Sequence, residues 1–255
     1  MALDYFGWPL QISHHQAAME TMPEGFSEGR DLRAGYLRGL GLHFGNLTHM
    51  CADDPDFKEA FAIARHFTSP VSDHQLCNLF LLLKYYLPHL PPGNLVEFGV
   101  HRGGSLLFFA NLAAKFLPAS LVYGYDSFIG MPTTAPNDVH QRGDFSDRNE
   151  DEIMAFVAQE KVKNLRLVKG FFHDSLPLLP KQGPFSLAHI DCDIYSGVKE
   201  CYLASRNLMI PKGYLVFDDV WIASCIGAYD AVMECVVAGD GRKAEQTWPH
   251  LVFRS

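Results

Sequence analysis

Six short apolar runs between residues 94 and 253 constrain the fold of this chain more than any other feature. The runs are NLVEFGV, SLVYGYD, NLRLVKG, FSLAHID, GYLVFDD and TWPHLVF, and stretches with helical spacing of apolar residues separate most of them. Apolar strands that alternate with helices are typical of βαβ units, whose parallel sheet is buried on both faces. The sequence therefore predicts an α/β fold with a Rossmann-like, doubly wound, mostly parallel sheet.

The first ninety residues have a different, mainly helical character. Apolar residues recur at spacings of three and four in DFKEAFAIARHF and in SDHQLCNLFLLLKYYL, and Ser72 or Asp73 is placed to cap the second helix. The segment LPHLPPGN then ends that helix with prolines and a glycine. We predict a helical N-terminal cap or oligomerisation segment over residues 1–90 and a ligand-binding sheet domain over residues 91–255. Aromatic candidates for covering a substrate or joining subunits are Tyr36, Phe44 and Tyr85.

Composition excludes several classes of partner and location. The formal net charge is -8 and Lys and Arg are not clustered, which argues against nucleic acid and favours a small molecule. The six cysteines show no CxxC spacing, as expected for reduced thiols in a reducing compartment. The N-terminus lacks a signal-peptide pattern, and no stretch has the length and apolarity of a membrane span. We therefore expect a cytoplasmic protein without a membrane partner.

The segment EFGVHRGGS follows the first apolar run directly. Its order predicts a strand exit after Glu97, a tight turn at Gly99, close backbone approach of a ligand at Gly103 and Gly104, and a helix from Ser105. The spacing departs from the dinucleotide fingerprint GxGxxG, so a structural tight turn is the alternative. The next run ends in Asp126, where an acidic residue typically accepts both hydroxyls of an adenosine ribose. Together these elements predict a site for a nucleotide-like ligand.

Acidic residues also end two later runs. The run FSLAHI is followed by Asp191, and GYLVF is followed by Asp218 and Asp219. If these strands are neighbours in a parallel sheet, they lie about 4.8 Å apart and their carboxylates meet at the ligand-binding edge. Clustered carboxylates repel one another unless a cation lies among them, and oxygen ligands favour Mg²⁺. We therefore predict a magnesium site.

Three alternatives for these residues stay open on the sequence alone. Asp219 could instead cap the helix that follows it, and Asp193 could replace a member of the trio. His189 and Asp191 also form an HxD pair, which occurs in non-haem iron sites, although a two-residue motif is weak.

Five motifs occur in an order that resembles the macrocin O-methyltransferase family. They are EFGVHRGG (97–104), YDSFIGMP (125–132), KGFFHDSLP (169–177), IDCDIY (190–195) and KGYLVFDD (212–219), and the resemblance spans about residues 93 to 235. It implies a class I, S-adenosylmethionine-dependent and Mg²⁺-dependent enzyme that methylates sugar hydroxyls on natural products such as macrolides. The sequence departs from the family at His101, where Trp is usual, at His189, where Arg is usual, and at 196–198, where Glu-Ser-Thr is usual.

The resemblance also implies roles for individual residues. Those implied near the methionine part, the ribose or the adenine of the cofactor are Glu97, Gly99, Gly103, Ser105, Asp126, Ser127, Phe172, Asp174, Ser175 and Asp191. The implied metal ligands are Asp191, Asp218 and Asp219, and the catalytic candidates are Asp191 and His140, with His140 as general base.

The sequence thus predicts an S-adenosylmethionine- and Mg²⁺-dependent O-methyltransferase that acts on a hydroxyl of a sugar or another small natural product. We expect it to form homo-oligomers. The alternatives are a protein that binds S-adenosylmethionine without methyl transfer, as a pericyclase-like protein would, and a dinucleotide-dependent oxidoreductase. The absence of GxGxxG disfavours the oxidoreductase.

Overall fold

The computed structural model describes residues 51–146 and 150–255. Within it, Pro55–Ser255 form one compact unit. The predicted N-terminal segment over residues 1–90 is thus described only from residue 51, and Tyr36 and Phe44 lie outside the described residues. Tyr85 is half exposed and packs edge to face against Phe80, with ring centroids 6.4 Å apart. The division at residue 90 stays a prediction.

One seven-stranded sheet organises this unit. Its strands are β1 (Asn94–Phe98), β2 (Val122–Asp126), β3 (Leu165–Lys169), β4 (Phe185–Ile190), β5 (Met209–Phe217), β6 (Ala244–Gln246) and β7 (Leu251–Arg254). The order across the sheet is β3-β2-β1-β4-β5-β7-β6, with β1 to β5 parallel and β7 antiparallel to both of its neighbours. The predicted doubly wound, mostly parallel sheet is confirmed. The short polar strand β6 was not predicted.

Helices cover both faces of the sheet. They are α1 (Pro55–His66), α2 (Asp73–Leu81), α3 (Gly104–Phe116), α4 (Glu150–Gln159), α5 (Phe172–Ser175), α6 (Tyr195–Ser205) and α7 (Ile226–Ala231). Helix α2 continues as a π-helical turn over Leu82–Tyr86, and α7 continues as a π-helical segment over Val232–Gly239. Short 3₁₀ turns lie at Leu87–His89, Leu176–Lys181, Asp219–Trp221 and Ala223–Cys225.

Ser72, one of the two residues predicted to cap α2, is its N-cap. Its hydroxyl accepts a hydrogen bond from the Gln75 amide, and the Gln75 side chain accepts one from the Ser72 amide. This capping box satisfies two amide groups that the first helical turn leaves unpaired. It fixes the start of a helix that reaches the site described below.

The central strands are apolar because helices shield both of their faces. Every residue of β4 is buried, and β1 is buried after its first residue. On one face, Phe217 packs edge to face on Phe253 with ring centroids 5.8 Å apart. Burying such a ring contributes about 1.5–3 kcal/mol, so this core fixes β5 against β7. No helix among residues 51–146 and 150–255 has the length and apolarity to cross a membrane.

Candidate active site

A cavity of about 330 Å³ opens at the carboxyl ends of the parallel strands. Residues from the turns after β1, β2 and β3 and from the ends of β4 and β5 line it, and Ser69, Pro70 and Val71 between α1 and α2 close one side. Open α/β sheets bind ligands at this edge, and the volume is in the range of small-molecule sites. The cavity is therefore the candidate active site.

The glycine turn after β1 exists because two strand ends approach each other closely. Gly99 has φ +89°, and a Cβ atom there would lie 1.7 Å from the carbonyl oxygen of Asp191. Gly103 has φ +84°, and a Cβ atom there would lie 2.6 Å from Ile153 Cδ1. Side chains are thus excluded at both positions. The backbone of the turn is left open toward the cavity at Gly99, Val100 and His101.

Asp126 holds this turn through its carboxylate. Its Oδ2 accepts hydrogen bonds from the amides of Val100 and His101, each at 2.8 Å, and its Oδ1 accepts one from the Phe128 amide at 2.7 Å. A carboxylate offers about four lone-pair positions, so three accepted bonds leave room for another donor. Asp126 lines the cavity, and its predicted ribose contact stays a prediction.

The structure brings some of the predicted cofactor residues into the cavity wall and leaves others behind it. Those that line the cavity are Gly99, Ser105, Asp126, Ser127, Phe172 and Asp191; those that do not are Glu97, Gly103, Asp174 and Ser175. Glu97 is completely buried, the Ser175 hydroxyl donates to the Phe171 carbonyl, and Asp174 is exposed and pairs with His173. Sequence order alone did not separate these two groups.

The carboxylates at the ends of β4 and β5 converge as their positions predict. One oxygen from each of Asp191, Asp218 and Asp219 lies within 4.8 Å of the others. Burial, followed by repulsion from neighbouring carboxylates, raises the pKa of Asp191 and of Asp219 well above the usual range. The side chain of Asp219 does not act as the helix cap that we considered, because its Oδ2 accepts the Asp193 amide at 2.8 Å. Carboxylates held this close form a natural site for a hard divalent cation.

Asp218 belongs to a buried network that the sequence did not reveal. His250 Nδ1 accepts from Asn78 at 2.9 Å, so its Nε2 donates to Asp218 Oδ1 at 2.8 Å. His189 lies between two carboxylates, with Nδ1 2.9 Å from Glu97 Oε1 and Nε2 3.4 Å from Asp218 Oδ1. Both nitrogens of His189 are therefore engaged away from Asp191, which removes the basis for the HxD alternative.

The charges of this network follow from its contacts. Burial acts to lower the pKa of His189, but its hydrogen bonds to Asp218 and Glu97 outweigh burial and raise that pKa to about 9. Burial acts to raise the pKa of Asp218, but hydrogen bonds from His189 and His250 hold it below the usual range. Burial lowers the pKa of His250. A protonated His189, a neutral His250 and an ionised Asp218 therefore coexist at neutral pH.

His140 lies beside the carboxylates, outside the residues that line the cavity. Its Nε2 is 3.7 Å from Cys225 Sγ, and its ring packs on Phe145, which does line the cavity. Asp193 faces the cavity, and the Cys225 thiol donates to Asp193 Oδ1 at 3.3 Å. The long polar loop thus places His140 next to Asp193. Neither Cys225 nor His250 carried a sequence signal, because each stands alone in an apolar segment.

The strand order and the cavity define a class I methyltransferase fold. Two solved structures share it. The O-methyltransferase NovP has a TM-score of 0.60 and 20% identity, and the match covers 82% of this chain and 94% of that chain. The calicheamicin methyltransferase CalS11 has a TM-score of 0.58 and 21% identity, and the match covers 91% of this chain and 99% of that chain. The sequence model of the macrocin-O-methyltransferase (TylF) family matches residues 71–235. The chain belongs to that family, which confirms the resemblance drawn from its motifs.

Characterised relatives are similar over part of their length. An 8-demethyl-8-(2,3-dimethoxy-alpha-L-rhamnosyl)-tetracenomycin-C 4'-O-methyltransferase from Streptomyces olivaceus is 32% identical over 166 residues, which cover 59% of this chain and 62% of that protein. Demethyldecarbamoylnovobiocin O-methyltransferase from Streptomyces niveus is 28% identical over 56% of this chain and 58% of that protein. The chain thus matches about three fifths of each of these relatives.

Proposed function

We propose that this protein is an S-adenosylmethionine- and Mg²⁺-dependent O-methyltransferase that acts on a hydroxyl of a sugar or another small natural product. The observation that carries the proposal is the convergence of Asp191, Asp218 and Asp219 at a cavity that also contains the glycine turn after β1. Family membership and two relatives named as O-methyltransferases of natural products support the reaction and the class of acceptor.

The residues present fit both bound groups. The backbone at Gly99 lines the cavity beside Asp126 and Ser127, where an extended ligand can lie against it. The three carboxylates supply the oxygen donors that Mg²⁺ prefers. A bound cation would also offset the repulsion among their negative charges. Bound together, the two groups would supply an activated methyl and the charge that favours a deprotonated acceptor hydroxyl.

The chain's own residues would align the acceptor and remove its proton. Asp126 would hold the ribose while it keeps the turn in place, and Asp191, Asp218 and Asp219 would hold the cation at the cavity edge. His140 would accept the hydroxyl proton at Nε2. Alignment of donor and acceptor supplies much of the rate increase in such a transfer, because it replaces a bimolecular encounter.

The proposal is tested by chelation and by Asp218→Asn. We expect methyl transfer to natural-product sugars, followed as S-adenosylhomocysteine, to stop with chelator and to return with Mg²⁺. Asp218→Asn keeps the shape but removes the charge, so turnover should fall at least about a hundredfold, while S-adenosylhomocysteine binding measured by calorimetry stays close to the parent value.

Glu160→Gln is the matched control, because Glu160 is an exposed acid at the end of α4. It should leave turnover unchanged. Full methyl transfer after exhaustive chelation would refute the metal requirement. Cofactor binding without S-adenosylhomocysteine formation from any acceptor would instead favour the alternative of a binding or pericyclase-like protein. The cytoplasmic location, the homo-oligomer and the absence of a nucleic-acid partner are kept as predictions.

A further inference from the structure

We propose that His140, Asp193 and Cys225 form a second cation site, selective for a borderline metal ion such as Zn²⁺, beside the carboxylate trio. One donor atom from each of the three side chains lies within 4.8 Å of the other two. The site is distinct from the trio in its residues and in its chemistry, because it offers nitrogen, oxygen and sulfur where the trio offers oxygen alone.

The two separations that involve the Cys225 thiol already match those of a tetrahedral centre. Cys225 Sγ lies 3.3 Å from Asp193 Oδ1 and 3.7 Å from His140 Nε2. Two ligands of a tetrahedral Zn²⁺ with ordinary Zn–S, Zn–N and Zn–O bond lengths are about 3.5 Å apart. Both thiol separations are thus within a few tenths of an ångström of this spacing, and the His140 and Asp193 donors lie within 4.8 Å of each other. Three protein ligands and an open fourth position are typical of accessible zinc sites.

The backbone holds these donors in place before any ion binds. Asp193 has φ +57°, an uncommon conformation for a residue with a side chain, and its amide donates to Asp219 Oδ2 at 2.8 Å. With the backbone held in this conformation, Asp193 Oδ1 accepts a hydrogen bond from the Cys225 thiol. Asp193 also lines the cavity, which gives an ion a route to the site.

A Cys–His–Asp nucleophile is the main rival for the same residues, and the contacts oppose it. In such a triad the acid orients the histidine, whereas Asp193 here accepts from the Cys225 thiol itself. Burial, followed by the charges of Asp219 and Asp193, raises the pKa of the Cys225 thiol. A nucleophilic cysteine needs a lowered pKa. A bound divalent ion would lower the pKa of the Cys225 thiol, and the thiol proton would be released to solvent as the metal–sulfur bond forms.

Occupation of this site has a consequence for catalysis that rests on the proposed function. A metal at His140 Nε2 takes the lone pair that would accept the substrate proton. Zn²⁺ would then inhibit methyl transfer even with Mg²⁺ present, because Mg²⁺ does not compete well for sulfur and nitrogen donors. The ion would also tie the polar loop to the turn Ala223–Cys225.

Cobalt absorption tests the site without reference to activity. Co²⁺ is added to the full-length, metal-free protein, and a thiolate-to-cobalt charge-transfer band is followed to saturation. We expect one equivalent of Co²⁺ to produce the band, Zn²⁺ to displace it and excess Mg²⁺ to leave it in place. Cys225→Ser should abolish the band, and His140→Ala should weaken Co²⁺ binding at least about tenfold.

Matched variants separate this site from other metal binding. Cys235→Ser, which changes another buried cysteine in the segment Val232–Gly239, should keep the band, and circular dichroism should confirm that each variant is folded. Asp218→Asn should also keep it, so that failure of the magnesium proposal is distinguishable from failure of this one. No charge-transfer band in the parent, or an equal band in Cys225→Ser, would overturn the proposal.

Discussion

Asp126 makes contacts that its place in the sequence did not predict. Its place at the end of β2 predicted a ribose contact, and the structure adds three backbone amides that its carboxylate already binds. Two of these amides belong to the turn that shapes the cavity. The carboxylate at this position therefore holds the turn in place and also lines the cavity.

Asp126→Ala tests how these tasks are divided. Loss of three accepted bonds leaves buried or half-buried amides unpaired, so we expect a lower free energy of unfolding in the absence of ligand. S-adenosylhomocysteine binding, measured by calorimetry on the folded fraction, should weaken by about 1–3 kcal/mol. Equal cofactor affinity in variant and parent would restrict Asp126 to holding the turn.

At the scale of elements, the pairing of β5 with β7 creates a contact that no motif encodes. The antiparallel register places Phe217 opposite Leu251, which brings Asp218, the residue directly after β5, beside His250, the residue directly before β7. Helix α2 then adds Asn78 behind the histidine. Three elements far apart in sequence thus fix the orientation of one carboxylate.

His250→Phe should weaken Mg²⁺ binding while the cavity stays intact. The variant removes the donor to Asp218 Oδ1, and loss of such a supporting contact typically costs about 10- to 100-fold in metal affinity. The Mg²⁺ dependence of turnover and calorimetry on the S-adenosylhomocysteine complex would measure the change, and His250→Gln should recover part of it.

The control for this variant is His89→Phe, since His89 is exposed on the turn after α2. An unchanged Mg²⁺ dependence in His250→Phe would mean that Asp218 does not need the histidine to hold a cation. A reduced temperature of unfolding alone, with the same metal affinity, would assign His250 a purely structural role.

Local patterns predicted the parallel strands because each is a continuous apolar run with a glycine or an acid at its end. The same patterns predicted that Asp191, Asp218 and Asp219 meet, since neighbouring parallel strands end at the same edge. They did not predict β6, whose three residues AEQ are polar and largely exposed. Nor did they predict the partners of His189 and His250, because those contacts depend on strand order and register across the whole sheet.

At the scale of the whole molecule, one buried cation lies among the carboxylates of the sheet centre. His189 contacts Glu97 and Asp218, and its ring lies 5.6 Å from that of His250 and 5.4 Å from that of Phe109. Its positive charge offsets part of the repulsion among the acids. The stability of the unit should therefore depend on the protonation of this single side chain.

This dependence gives stability a definite slope with pH. Because the pKa of His189 is about 9 in the folded protein and about 6.5 in the unfolded chain, its stabilising contribution is complete below pH 6.5 and is lost as the pH rises toward 9. His250 has a lowered pKa in the folded protein, so its ionisation changes the stability only below about pH 6.5. Buried thiols with raised pKa values, such as those of Cys192 and Cys201, add a further loss only near and above their ordinary pKa of about 8.5. Between about pH 6.5 and 8, the carboxylates of Asp191 and Asp219, whose pKa values are raised, add a loss of the same sign, so the contribution of His189 is the difference between the parent and a variant at position 189.

We expect the urea midpoint of the metal-free protein to fall steadily across this interval, with a chelator present so that no cation replaces the imidazolium. His189→Arg keeps a positive charge at all of these pH values, at a position where the family usually has Arg, and should flatten the slope. His66→Gln changes an exposed histidine on α1 and should leave the slope unchanged. A parent protein whose midpoint is constant or rises from pH 6.5 to 8 would show that His189 is neutral in the folded state, since a neutral imidazole would contribute a slope of the opposite sign or none.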